Sequence, residues 1–233
     1  MDHDLMVERL FESLITGDRQ GTRQLVSEFT GQGTTPRQLI NDLFWPTYNL
    51  IERLHREDQL TRMSYQMATR LLRVTVDRIT AQLPLAPRSG KSVFACCGPT
   101  EGDELGAQMA TDLLEAAGFT VTFAGGQLPS DEILAQVHEA RPDTLLIFAA
   151  GPSDLPGIRG LIDTIREIAA VPHMKIAVGG GVFNRAAGLA DEIGVHIYAS
   201  TPMEMVDVLI NPPAQRIIEE RPVATKRRVR RAA

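Results

Sequence analysis

Cysteine is almost absent from this 233-residue chain, which has only Cys96 and Cys97. Adjacent cysteines cannot form an ordinary structural disulfide with each other, and a two-cysteine zinc motif needs a spacer. Both read as buried thiols ending a strand. No apolar run approaches the roughly 18 residues of a membrane-spanning helix. The acidic, amphipathic opening MDHDLMVERLFESL lacks the pattern of a secretory signal, so the expected address is cytoplasmic. Catalytic signatures are missing as well: there is no nucleophile elbow, no H-E-x-x-H and no carboxylate pair whose spacing demands acid–base work. Acid is missing locally. Residues 221–233 hold Arg221, Lys226, Arg227, Arg228, Arg230 and Arg231 with no Asp or Glu, which leaves −11 on residues 1–220 out of a net −5. Such a block either contacts phosphates or an acidic partner, or is a solvated tail. No DNA-binding module precedes the first helical stretch, so nucleic-acid contact is expected only through that tail.

What is present divides in two. Residues 1–83 show helical spacing of apolar positions, from Leu5, Leu10 and Leu14 through Leu25, Phe29, Leu39, Leu43 and Leu50 to Met63, Met67, Leu71 and Val74. Breaks at Thr16-Gly17-Asp18, at Gly31-Gln32-Gly33 and near Asp58 give four helices, a bundle that buries its own stripes. Thr35 reads as an N-cap with Pro36 at the first helical position. Two prolines and a glycine in residues 84–91 mark a linker. Over residues 92–210 short apolar strands, near 92–97, 120–124, 144–149, 175–179 and 196–199, alternate with helices near 103–117, 130–140, 155–169, 184–193 and 202–209. The expected fold is α/β, a four-helix cap followed by a doubly wound five-stranded parallel sheet of flavodoxin-like type, with ligands at the carboxyl ends of the strands. Residues 211–233 form the basic tail.

The loops at those strand ends exclude two common ligands. Gly98-Pro-Thr-Glu-Gly-Asp-Glu-Leu-Gly106 has neither G-x-G-x-x-G nor G-K-[ST], and its acids Glu101, Asp103 and Glu104 complement a helix N-terminus but repel a pyrophosphate. They offer oxygen ligands to a cation, although capping of the helix accounts for them. A phosphate-accepting receiver needs an Asp at the end of the third strand, where this chain has Phe148-Ala149-Ala150-Gly151.

The helical stretches ITGDRQGTRQLVSEF, TTPRQLINDLFWPTYNLIERLHREDQL and MSYQMATRLL, followed by this α/β pattern, resemble the cobalamin-binding family of corrinoid methyltransferase proteins and light-responsive cobalamin regulators over about residues 5–210. In that family D/E-x-H-x-x-G follows the first strand, S-x-L ends the third and G-G follows the fourth. Glu101 and Gly106 match the first motif, but Asp103 stands where the resemblance implies the histidine that ligates cobalt from below. Phe148-Ala149-Ala150 replaces S-x-L, so the hydroxyl that meets the displaced nucleotide base is lost and a ring enters its tunnel. Gly179, Gly180 and Gly181 match the last motif. The W-x9-E-H pattern of the light-responsive caps aligns with His55, Tyr65 and Gln66.

The resemblance therefore implies cobalamin, with haem or a bilin as the alternative tetrapyrrole and an empty fold as a third outcome. Glu101, Asp103, Gly106, Phe148, Ala150, Gly179, Gly180 and Gly181 would line the site, and Trp45-Pro46 with Tyr48 would add an aromatic wall. His55 is the candidate metal ligand, from above. The leading expectation is a non-catalytic sensory or regulatory protein acting on a protein partner, with homo-oligomerisation open. A corrinoid methyl carrier is the first alternative and a cofactor-free interaction module the second.

Overall fold

The computed structural model describes residues 3–168 and 171–211. The tail expected at 211–233 lies, apart from Asn211, outside the described residues, and so does any role for it.

The cap consists of α1 (His3–Ile15), α2 (Arg19–Gly31), a continuous helical run over α3 (Pro36–Gln38), a π-helical segment (Leu39–Phe44) and α4 (Trp45–Arg56), and finally α5 (Arg62–Thr80). Each start has a local cause. The Asp18 carboxylate accepts from the N–H groups of Gln20 and Gly21, Thr61 Oγ1 accepts from Ser64 N–H, and Thr35 forms a full capping box with Gln38 ahead of Pro36. The π-helical segment precedes Pro46, whose missing N–H and ring disturb the preceding turn. Leu39, Ile40, Leu43, Phe44, Trp45, Tyr48 and Ile51 all face inward along this run.

The second module holds β1 (Ser92–Cys97), α6 (Glu101–Ala116), β2 (Thr120–Gly125), α7 (Ser130–Ala140), β3 (Thr144–Phe148), α8 (Leu155–Ile168), β4 (Lys175–Gly179), α9 (Gly181–Arg185), α10 (Leu189–Ile193), β5 (Ile197–Ala199) and α11 (Pro202–Ile210). All pairings are parallel, in the order β2-β1-β3-β4-β5. The chain reverses its winding between β1 and β3, and there the flanking loops part to leave a crevice. The register puts Cys97 beside Phe148, Phe148 beside Gly179 and Gly179 beside Ala199, so four strands end abreast. The expected helix at 184–193 is two short ones, because Gly188 takes a left-handed φ of 82° between them.

The sheet has a core on each face. On one, Phe94, Leu145, Ile147, Ile176 and Val178 pack under α7, α8 and α9. On the other, Ala95, Leu146, Phe148 and Ala177 pack under α6 and α11 and continue without a break into Leu10, Phe44, Trp45, Tyr48, Ile51 and Leu72 of the cap. The linker is pinned rather than loose: Ala86 N–H donates to Ala116 O at 2.8 Å and Ser89 N–H to Gly118 O at 2.8 Å. Polar contacts add to this seam, with Arg73 of α5 on Glu104 of α6 at 3.2 Å and Gln108 donating to Asp77 at 2.5 Å.

A core shared by cap and sheet makes their unfolding cooperative. Leu72→Ala, at a fully buried cap position, is expected to cost about 2–5 kcal/mol. Urea unfolding followed by tryptophan fluorescence and by far-UV dichroism should show one coincident transition, shifted as a whole in the variant; separate transitions would show that the modules fold apart.

Candidate functional site

Three loops meet where β1, β3 and β4 end, and Asp103 joins two of them. Thr100 caps α6: its hydroxyl accepts from Asp103 N–H at 3.0 Å, while Asp103 Oδ2 accepts from Thr100 N–H at 3.1 Å and from the Thr100 hydroxyl at 2.5 Å. The other oxygen, Oδ1, accepts from Ala150 N–H at 2.6 Å, just past β3. Asp103 is only 1% exposed. Its two oxygens are thus committed to the protein, and the side chain at the histidine position works as a clamp between helix and strand rather than as an open ligand.

Phe148 fills the adjoining space. A Cβ on Gly106 would stand 2.6 Å from Phe148 Cε1 and 2.9 Å from the Tyr48 hydroxyl, so glycine is needed there for the ring to lie against α6. Trp45 meets Phe148 edge-on at 6.4 Å and stacks on Tyr48 at 5.1 Å between centroids. Trp45 is therefore core and part of a seal over the strand ends, not a wall of the open cleft. Gly180, with φ of 105°, lies against the Ala149 backbone, where a Cβ would come within 2.9 Å of Ala149 N. At Gly179 a Cβ would meet only ordinary contacts, the nearest at 3.5 Å, and at Gly181 it would meet the movable end of Arg185. Glu101 opens α6 at the surface and offers its carbonyl to Arg73 at 3.1 Å.

Above this floor a cleft of about 500 Å³ runs between cap and sheet. Its lining includes Tyr48, Glu52, Arg53 and Arg56 of α4 on one side and Ala150 and Arg185 on the other. Arg185 donates to Ala150 O at 2.6 Å and so steadies the same loop that Asp103 holds from beneath. Glu52 accepts from the Tyr65 hydroxyl at 2.7 Å. Burial raises the Glu52 carboxyl above its usual range, the Tyr65 bond pulls it back, and the negative Asp103 adds to the rise. Burial chiefly, with the charges of Glu52 and Asp103, lifts Tyr48 well above its ordinary value, so its hydroxyl stays a neutral donor. Tyr48 is 2% exposed, and its hydroxyl has no hydrogen-bond partner among the described residues.

His55 takes a different place. Its ring stacks on Tyr65 at 3.8 Å, and it is not among the residues lining the cleft. Both cysteines are free, and burial pushes each thiol up to about 12, which leaves them inert. His196 is structural: its Nδ1 accepts from Ile176 N–H at 2.9 Å. Among the described residues no cluster of three or more His, Cys, Asp or Glu is placed to hold a metal ion.

These features define a two-module cobalamin-type protein, a helical cap over the carboxyl edge of a flavodoxin-like sheet. Residues 91–207 match the family model of the B12 binding domain, and residues 6–80 match a second model of the same description. The chain belongs to the B12 binding domain family. Cobalamin, rather than haem or a bilin, is therefore the cofactor indicated. Its relatives include dimethylamine corrinoid protein 1 of Methanosarcina acetivorans, 24% identical over 88% of this chain and 96% of the relative. Dimethylamine corrinoid protein 2 of Methanosarcina mazei is 25% identical over 86% and 94%. The monomethylamine corrinoid protein of Methanosarcina barkeri shares the fold, with a TM-score of 0.76 at 16% identity over 90% of this chain and 99% of that one.

The residues fit a corrinoid in one respect and not in another. A polar-rimmed cleft with an unpartnered buried hydroxyl suits a large amide-bearing ligand, since an unmade buried hydrogen bond costs about 1–3 kcal/mol until something fills it. The interior of the strand ends does not suit a protein ligand to the metal or an inserted base, because Asp103 and Phe148 occupy it.

The sequence pointed to Asp103, Phe148, the glycines and, beside Trp45, to Tyr48, but missed Glu52 and Arg185. Asp103→Ala should lower stability by about 1–3 kcal/mol, because it leaves the partly buried Ala150 N–H without its protein partner and removes the Thr100 bonds; Asp103→Asn should cost less, and chemical denaturation checks both. Glu52 gives a pH signature. Its raised carboxyl favours the fold when protonated, and that gain is lost as pH rises through the raised pKa. Relative to Glu52→Gln, the wild-type melting temperature should therefore climb as pH is lowered from 7 to 5.

Proposed function

We propose that this chain is a corrinoid-carrying subunit of a methyl-transfer system, presenting its cofactor to a separate methyltransferase. The observation that carries this reading is the shared organisation: cap and B12 binding domain run in the same order along nearly the whole length of relatives whose names join a methylated amine to a corrinoid. The expectation of a sensor yields to that of a carrier on this ground. The cleft agrees. Its acid, Glu52, is engaged by Tyr65, its phenol Tyr48 is held protonated, and the lining offers no activated nucleophile. A bound corrinoid would supply a metal able to take up and release a methyl group. The chain's own part is to bind, orient and expel water, with Tyr48 donating to the ligand and Arg185 and Ala150 fixing the opposite rim.

One observation favours a second, regulatory reading. Asp103 replaces the imidazole on which ligand exchange at cobalt would depend, and the cap's unbroken core with the sheet is suited to passing a shift to a partner.

Purified protein incubated with hydroxocobalamin and desalted should retain a corrinoid absorbance spectrum between about 300 and 700 nm. The loaded, reduced protein should then change its spectrum on addition of dimethylamine and a dimethylamine-dependent methyltransferase. Retention without that change would favour the regulatory reading, and a colourless protein would end both.

A further inference from the structure

We infer that this chain holds its corrinoid on a sealed floor, supplying no ligand to the metal and leaving the cofactor's own nucleotide base in place beneath it. The inference rests on the corrinoid reading above and departs from what the family resemblance implies about the site. Three features close the floor. Asp103 is buried with both oxygens engaged, by Thr100 and by Ala150. Phe148 packs against Gly106, with Trp45 of the cap edge-on to it and Tyr48 stacked on Trp45. Gly180 brings its backbone against Ala149, and Val182 N–H donates to Ala149 O at 3.3 Å, which ties the segments after β3 and β4 together.

An intruding base would have to displace the Phe148 ring from a core that runs into the cap. A metal ligand from Asp103 would have to break the clamp that orders the Ala150 loop. Neither loss has a compensating contact among the described residues, whereas a base left on its own metal keeps its bond. His55 gives no substitute from the cap, since it is stacked on Tyr65 and absent from the cleft lining. The open side of the site therefore makes its polar contacts to the corrinoid periphery, with Arg53, Arg56 and Arg185 on its rim as donors.

The full chain, uniformly labelled with ¹⁵N and loaded with unlabelled reduced cob(II)alamin, distinguishes the outcomes by electron paramagnetic resonance. The expected spectrum carries the triplet splitting of an axial ¹⁴N, that of the cofactor's own base. A doublet would reveal a protein nitrogen on the metal and overturn the inference, as would loss of nitrogen splitting, which would mean the base has been displaced. Failure to retain any corrinoid would instead overturn the carrier reading, and this inference with it. Affinities give an independent measure. Hydroxocobalamin and dicyanocobinamide, which lacks the nucleotide tail, should bind within about threefold of each other, while a preference for cobalamin above about tenfold would show the tail taken into the sheet. Phe148→Ala, by emptying the ring's place, should raise the preference for cobalamin; an unchanged ratio would remove Phe148 from the seal.

Discussion

The carboxylate of Asp103 is the point on which the strand-end region depends. One oxygen completes the capping box of α6, and the other holds the first free N–H beyond β3. A charged acceptor shared between a helix N-terminus and a loop amide is strong because hydrogen bonds to an ionised group are about twice as strong as neutral ones and both donors would otherwise lack a protein partner. Everything above it inherits that order: Ala150 presents its carbonyl to Arg185, Gly180 closes on Ala149, and α9 starts from a fixed position. A single residue at a motif position thereby converts a ligand-bearing loop into a structural joint.

The second constraint is aromatic. Phe148, Trp45 and Tyr48 come from opposite modules yet form one cluster, and the glycine at 106 is what lets them approach α6. Because the same core spans both modules, the cap is a continuation of the sheet's packing rather than an independent lid. The cleft sits beside that seam, bounded by α4 and by the loop that Asp103 holds, so its shape is set by the interior of the protein more than by its surface.

Much of this was legible beforehand where the signal was local. The breaks at Gly17, Gly31 and Asp58, the cap at Thr35 and the five strands follow from turn chemistry and apolar period, and each lies within a few residues of its place. The replacement of histidine by Asp103 and the blocking ring of Phe148 were also visible, because they are departures at defined spacing. What escaped were relations across the fold. That Asp103 would clamp Ala150, 47 residues away, depends on strands ending abreast. That His55 would stack on Tyr65, away from the cleft that Tyr48 lines, depends on the rotation of α4.

That rotation originates in the π-helical stretch over Leu39–Phe44. An α-helix turns about 100° per residue, and a wider π turn absorbs an extra one without breaking the run. The stretch therefore acts as a phase adjuster. It lets one helix bury Leu39 and Ile40 against the bundle and still deliver Trp45 and Tyr48, a few residues later, to the sheet. A chain shortened by one residue there would close the wide turn into an ordinary α-helical one with both flanks facing as they do now, whereas one further residue without a second wide turn would swing the aromatic face about 100° away from the strand ends.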